Sequence, residues 1–154
     1  MSAQAQPDDT AADAIQTQFA FEVLVKIGER IPLGPTPQGE RAIVPILGGH
    51  AEGPDFQGEV LPGADWQRKR ADGVWELEAR YALRAKDGAI VQIVNCGLLV
   101  LPSEARDGAL YLRTAPIFAA PNDGPHAWLN RSLFVGKLAA GSANHVHLRF
   151  YRVL

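Results

Sequence analysis

The longest strict alternation of apolar and polar residues in the chain runs from Trp75 to Arg84. Trp75, Leu77, Ala79, Tyr81 and Leu83 share one parity; Glu76, Glu78, Arg80 and Arg84 share the other. Successive side chains of a strand point to opposite faces, so this pattern predicts a strand with one wet side. Asp87-Gly88 then offers a turn, since glycine tolerates positive φ at little cost. Ala89 to Cys96, rich in Val and Ile, returns as an antiparallel partner. The stretch reads as a long central hairpin.

The length of its loop decides which polar group lies inside. With a loop of Asp87-Gly88 alone, Lys86 faces Ala89 and Arg80 lies opposite Asn95. With a loop of Lys86-Asp87-Gly88 and Gly88 left-handed, the parity flips and Tyr81 lies over Ile93. Asn95 then shares the apolar face with Trp75, Leu77 and Val91. The second register is preferred, because it sets apolar against apolar. It leaves Asn95 and the Tyr81 hydroxyl pointing inward, where polar atoms need partners.

The rest of the chain continues the pattern. Phe19 to Ile27 alternates, with Phe19, Phe21, Val23, Val25 and Ile27 against Glu22 and Lys26. Gly34 to Gly39 reads as a loop, because its proline and glycine deny helix and ladder alike. Arg41 to Leu47 is a strand, with Pro45 implying an edge or bulge, and Gly48-Gly49 breaks it. Phe56 to Leu61 extends, Pro62-Gly63 turns, and Asp65 to Arg70 pairs with Val74 onward across Asp72-Gly73. Pro102 to Gly108 is the one helical turn expected. Leu110 to Ala115, Leu133 to Leu138 and Asn144 to Val153 complete the strands. Turn signals this frequent point to an all-β fold with little helix, and to a closed antiparallel β-barrel, because closure removes edges.

Composition narrows the function classes. The 154 residues suit a single domain, read here as residues 19–154 behind a loosely packed tail, residues 1–18. A formal charge of -2 gives no footprint for nucleic acid. No apolar run nears the roughly 20 residues of a membrane helix. Residues 1–18 have neither a basic leader nor an apolar segment, so no signal peptide is expected. The single Cys96 excludes an internal disulfide and suits a reducing cytoplasm.

Candidate chemistry is sparse. There is no phosphate loop, no nucleophile elbow and no Cys/His metal motif, so no cofactor or metal is expected. His145 and His147 alternate on one face but lack a third ligand. Cys96 reads as a small packed hydrophobe. The stronger constellation is Asp65, Trp66, Tyr81, Asn95, Arg113, Trp128 and Asn130, which mixes aromatic walls with few polar groups, as in a small-molecule pocket. Trp66, Asn95, Arg113, Trp128 and Asn130 are the expected ligand-binding residues, Arg113 holding a carboxylate or phenolate. Asp65 and Tyr81 are the candidate catalytic pair, with Asp65 moving a proton if burial raises its pKa. The plain alternative is a barrel whose polar groups satisfy one another, Asp65 capping its own turn.

A resemblance adds to this reading. Ile46-Leu47-Gly48-Gly49, Glu52-Gly53-Pro54 and Gly58 to Gln67 are followed by Arg80-Tyr81, Asp87-Gly88-Ala89 and Asn95-Cys96-Gly97. Arg113 to Pro116, Ala127 to Asn130 and Phe134-Val135-Gly136 come next. In that order they resemble a bacterial domain-of-unknown-function family, number 3237, over roughly Phe19 to Val153. The resemblance implies a lipocalin-like barrel that assembles as an oligomer, most simply a homodimer, and it implies no reaction. Two positions depart from the family pattern: Ala119 replaces an acidic residue, and His126 replaces an aromatic. Two functions follow as expectations. One is a cytoplasmic barrel that binds a small, partly apolar or aromatic molecule, with neither nucleic acid nor membrane as partner. The other is a cofactor-independent lyase or isomerase acting on an aromatic or polyketide-like acid.

Overall fold

A computed structural model of the protein describes residues 13–154; most of the expected tail lies outside them. Ten strands follow in order: β1 (Thr17–Ile27), β2 (Ile31–Thr36), β3 (Gly39–Glu52), β4 (Gly58–Val60), β5 (Gly63–Lys69), β6 (Trp75–Ala85), β7 (Ile90–Val100), β8 (Tyr111–Ala119), β9 (Phe134–Gly141) and β10 (His145–Val153). Each neighbouring pair is antiparallel, and β1 pairs with both β10 and β3, which closes the ring. Between β3 and β6 one strand position is shared end to end: β4 pairs Gly49–Ala51 with Leu83–Ala85, and β5 pairs Glu40–Ile46 with Trp75–Arg80. The result is a closed eight-stranded antiparallel β-barrel, with 63% of the described residues in strands and 4% helical. β2 lies outside the ring, on the far end of β3.

The central hairpin adopts the preferred register. Tyr81 pairs with Ile93 and Ala79 with Asn95. The Gly88 amide donates to the Ala85 carbonyl at 2.9 Å, the Ala85 amide donates to Ala89 at 2.8 Å, and Gly88 has φ 88°. Lys86-Asp87-Gly88 is therefore the loop. One half of the barrel is packed solid by the inward residues of β1, β6, β7 and β10. Phe21, Val23, Leu83, Val91, Ile93 and Phe150 are all fully buried there. Phe21 meets Phe150 edge-on at 5.4 Å and Phe56 at 5.1 Å, while Phe118 meets Phe134 at 4.9 Å. Such aromatic contacts add to the area they bury.

Five expectations need correction. Gly34 to Gly39 is not free of ladder: Ile31–Thr36 pairs with β3. Its prolines are tolerated because β2 is an edge, where a missing donor faces solvent. Gly48-Gly49 does not end its strand. β3 runs through to Glu52, with Gly48 at φ 152° and Gly49 at φ 134°, and the pairing to β1 shifts there. Pro45 is neither at an edge nor in a bulge. It pairs with Ala64, and its carbonyl accepts from Gly28 between the end of β1 and the start of β2, so its missing N–H faces that gap. The helical turn lies at Ala127–Arg131, a 3-10 helix that buries Leu129, and not at Pro102 to Gly108, which is bends and turns. Thr17 and Gln18, assigned by the sequence to the tail, pair with Val153 and Arg152.

Two glycines make opposite demands on substitution. A Cβ on Gly49 would lie 2.0 Å from the Leu24 carbonyl oxygen, whereas a Cβ on Gly88 would meet nothing within 4 Å. Gly88→Ala should therefore cost about 1 kcal/mol, the strain of positive φ alone. Gly49→Ala must displace the β1 backbone and should cost about 3 kcal/mol or more. Urea melts of the two variants check this contrast; equal losses would contradict it.

Candidate functional site

Above the packed half, the interior changes character. The row across β3, β5, β6, β7 and β8 reads Val44, Asp65, Ala79, Asn95 and Pro116; the next row outward reads Ala42, Gln67, Leu77, Gly97 and Thr114. Polar side chains stand beside the small Ala42, Ala79 and Gly97, with Val44, Leu77 and Pro116 in the remaining places. Ala79 stands between Asp65 and Asn95, and Tyr81, two residues along the same face, is diagonal to both. Diagonal neighbours on a sheet lie within reach of an aromatic side chain.

Four interior oxygens have no hydrogen-bond partner among the described residues: Asp65 Oδ1, Tyr81 OH, Asn95 Oδ1 and Thr114 Oγ1. Asn95 is 3% exposed and Thr114 7%. An orphaned buried polar group costs about 1–3 kcal/mol, so four in one region is an unusual concentration. The other carboxylate oxygen, Asp65 Oδ2, accepts from Gln67 Nε2 at 2.9 Å. Gln67 Oε1 in turn accepts from Arg30 Nε at 3.4 Å. Arg30 lies 5.1 Å over the Trp75 ring, with Lys69 at 5.9 Å. A polar line thus leads from Arg30 through Gln67 to the Asp65 carboxyl.

The electrostatics follow from burial. Desolvation raises the Asp65 pKa, opposed by the Gln67 hydrogen bond and by a backbone hydrogen bond from Glu78. Desolvation also raises Tyr81, and the negative charge of Asp65 adds to that effect. The tyrosine therefore stays a neutral hydroxyl, able to donate and to accept. Asp65 is a carboxyl biased toward its protonated form.

The seven residues marked by the sequence do not form one site. Asp65, Tyr81 and Asn95 meet in the interior. Trp66 and Arg113 face outward: Trp66 is 47% exposed, and Arg113 lies over Tyr111 at 5.4 Å and donates to the Leu112 carbonyl at 2.9 Å. Trp128 sits on the 3-10 helix, 5.8 Å from Phe134. Asn130 accepts from the Ala120 amide and donates to the Ala120 carbonyl, at 2.8 and 2.9 Å, which fastens that helix to the end of β8. Thr114, Gln67 and Arg30 were missed. Thr114 sat within a quoted motif, yet only the pairing of β7 with β8 shows that its hydroxyl points inward.

Other expectations are redrawn too. Cys96 is exposed and not packed, because the register that turns Asn95 in turns Cys96 out. His147 Nε2 lies 2.9 Å from Glu22 Oε2. Among the described residues no group of His, Cys, Asp and Glu is placed to hold a metal. At the two departures from the family pattern, Ala119 ends β8 opposite Gln92, and His126 lies 2.9 Å from Asp87 Oδ2 and edge-on to Phe56. No described helix is long and apolar enough to cross a membrane.

An interior of this kind defines a closed β-barrel with polar inward rows above an aromatic core. Residues 15–153 match the family described as "Protein of unknown function (DUF3237)", and the chain belongs to that family. A UPF0311 protein of Rhodopseudomonas palustris is 36% identical over 151 residues, covering 91% of this chain and 97% of the relative. A UPF0311 protein of Clostridium acetobutylicum is 33% identical over 158 residues, covering 95% and 99%. Solved structures agree. A conserved protein of unknown function from Rhodopseudomonas palustris superposes with TM-score 0.83, covering 92% of this chain and 99% of that one. A β-barrel-like protein from Acinetobacter baumannii, 24% identical, gives 0.79 over 98% and 100%, and shows the shared fold.

The Asp65 shift sets a pH dependence whose sign is fixed. A carboxyl with a raised folded-state pKa favours the protonated form, so its contribution is full below the ordinary carboxylate range. That contribution is lost as the pH rises through the raised value. Asn cannot ionise and keeps an oxygen for Gln67. Asp65→Asn should therefore melt above the wild type at pH 7, with the gap closing toward pH 4. Thermal melts across that range check it, and a gap that widens on acidification would reverse the assignment.

Proposed function

We propose that this protein is a binding barrel that takes a small, partly apolar or aromatic molecule into its interior. The molecule's polar head meets Asp65, Tyr81, Asn95 and Thr114. One observation carries this reading: four buried oxygens on four adjoining strands lack partners, and buried polar groups are normally satisfied by protein, water or ligand. Asn95 Oδ1 can only accept, and Asp65 is the sole charged group among these four. The fitting head is therefore neutral and offers hydrogen-bond donors, as a phenol or alcohol does. Ala79 and Gly97 keep side chains short beside the polar groups, and the aromatic core below supplies an apolar floor.

The acid–base alternative draws support from a second observation, the desolvated Asp65 beside Tyr81. In a cofactor-independent lyase or isomerase, Asp65 would accept the proton leaving a carbon next to a carbonyl. Tyr81 or Asn95 would hydrogen-bond the oxygen on which charge develops, through the phenol O–H or the amide N–H. A cytoplasmic location belongs to the same proposal, resting on the lone thiol. So does an even-numbered assembly, most simply a homodimer, which the exposed Ile117, Leu133 and Val135 on and before β8 and β9 favour. A mass by light scattering of twice the chain at micromolar concentration is expected; a monomer would reject the dimer.

The binding test uses 2-naphthol as a neutral, aromatic donor. At a concentration about 100 times the dissociation constant, binding adds about 2.7 kcal/mol to stability, a rise of several degrees in melting temperature. Asn95→Leu and Tyr81→Phe should fold as stably as the wild type, since neither removes a protein hydrogen bond, and both should lose that rise. A rise that survives both changes would place the ligand elsewhere. Turnover of a bound carbonyl compound, abolished by Asp65→Asn, would favour the enzyme.

A further inference from the structure

The outer face of the same strands carries a second feature. A depression of about 920 Å³ lies across β2, β3 and β5 to β8. Its walls come from residues of the outward parity: Arg41, Arg68, Glu76, Leu98 and Arg113 form one cross-strand row, and Trp66, Glu78 and Cys96 belong to the next. The intervening Gln67, Leu77 and Gly97 supply the floor, and Leu33 of β2 and Arg80 complete the wall.

The charges there do not balance. Four arginines line the depression against two glutamates, Glu76 and Glu78. Arg68 is paired with Glu76, and Arg80 Nη2 lies 3.1 Å from Glu78 Oε1. The two at the ends of the row, Arg41 and Arg113, form no ion pair with a described residue. Arg41 Nε is buried without a hydrogen-bond partner, and Arg113 donates only to its neighbour's carbonyl. A guanidinium offers five donors in a planar fork suited to carboxylate. Between the two lie the exposed faces of Trp66 and Leu98, an apolar and aromatic surface on which a flat body can rest.

We infer that this outer depression is a binding site for an organic anion with an aromatic body, an aryl carboxylate in chemical class. Arg113 takes the charge, and Leu98, its cross-strand neighbour, with Trp66 takes the ring. The site is separate from the interior one. Its ligand is anionic where the interior favours a neutral head; Thr114 borders both, but Arg113, Trp66 and Leu98 face outward, so either can fail without the other.

The probe is 2-naphthoate, titrated calorimetrically into the full chain, with methyl 2-naphthoate as the uncharged control. The acid should bind, the ester should bind at least about tenfold more weakly, and added salt should weaken the acid. Arg113→Gln should lower affinity about tenfold or more. Arg113 is exposed and paired with no carboxylate, so Arg113→Gln folds, and Arg41→Gln, four strand spacings away, should leave affinity unchanged. Three results would overturn the inference. They are acid and ester binding equally, affinity unchanged in Arg113→Gln, and no naphthoate binding in a protein whose Trp66 is buried by self-association that Trp66→Glu disperses. The last would make the depression an interface between copies of the chain.

Discussion

Everything distinctive about the interior depends on one loop residue. Strand side chains alternate, so adding or removing a single residue between β6 and β7 exchanges the two faces of β7. Gly88, at φ 88°, lets Lys86-Asp87-Gly88 close the hairpin as a three-residue loop, and the Asp87 side chain accepts from the Ala89 amide at 3.0 Å. That choice sends Val91, Ile93 and Asn95 inward and Cys96 and Leu98 outward. With the shorter loop, Asn95 would lie in solvent and Cys96 in the core. The orphaned amide oxygen of the interior and the apolar wall of the outer depression are two faces of one register.

Stability and chemistry are divided along the barrel axis. The half built on Phe21, Phe118, Phe134 and Phe150 is close-packed, and its rings meet at 4.9 to 6.0 Å. The other half sets polar beside small side chains and leaves hydrogen-bonding capacity unused. An interior of the second kind gains little from burial and pays desolvation for Asp65. The packed half must carry the fold so that the polar half can remain unsatisfied.

The comparisons tie the barrel to relatives across almost its whole length, 97% of one and 99% of another. They extend the fold without supplying a reaction, so the function rests on the geometry. The departures at Ala119 and His126 lie away from the interior oxygens, at the end of β8 and beside the Asp87 turn. The polar inward rows of this chain are therefore built without them.

Much of this was legible in the residues. Alternation marked nine of the ten strands in whole or part, the absence of helical period gave the all-β class, and the preference for apolar facing apolar selected the correct hairpin register. Tyr81 and Asn95 stood out as polar groups of inward parity, and Asp65 as a candidate carboxyl beside them. Alternation is local, however, and it reports which residues share a face without saying which strands are neighbours. It could not show that β4 and β5 share one position, that β2 survives its prolines because it is an edge, or that β3 passes through two glycines. It set Trp66 on the opposite face from Asp65, but only the pairing of β5 to β8 shows which face is inside and that Arg113 shares the outer one. Barrel closure settled those questions. Once β1 paired with both β3 and β10, every strand acquired an inside and an outside, and one apparent constellation became an interior polar row, an outer depression and a fastened 3-10 helix.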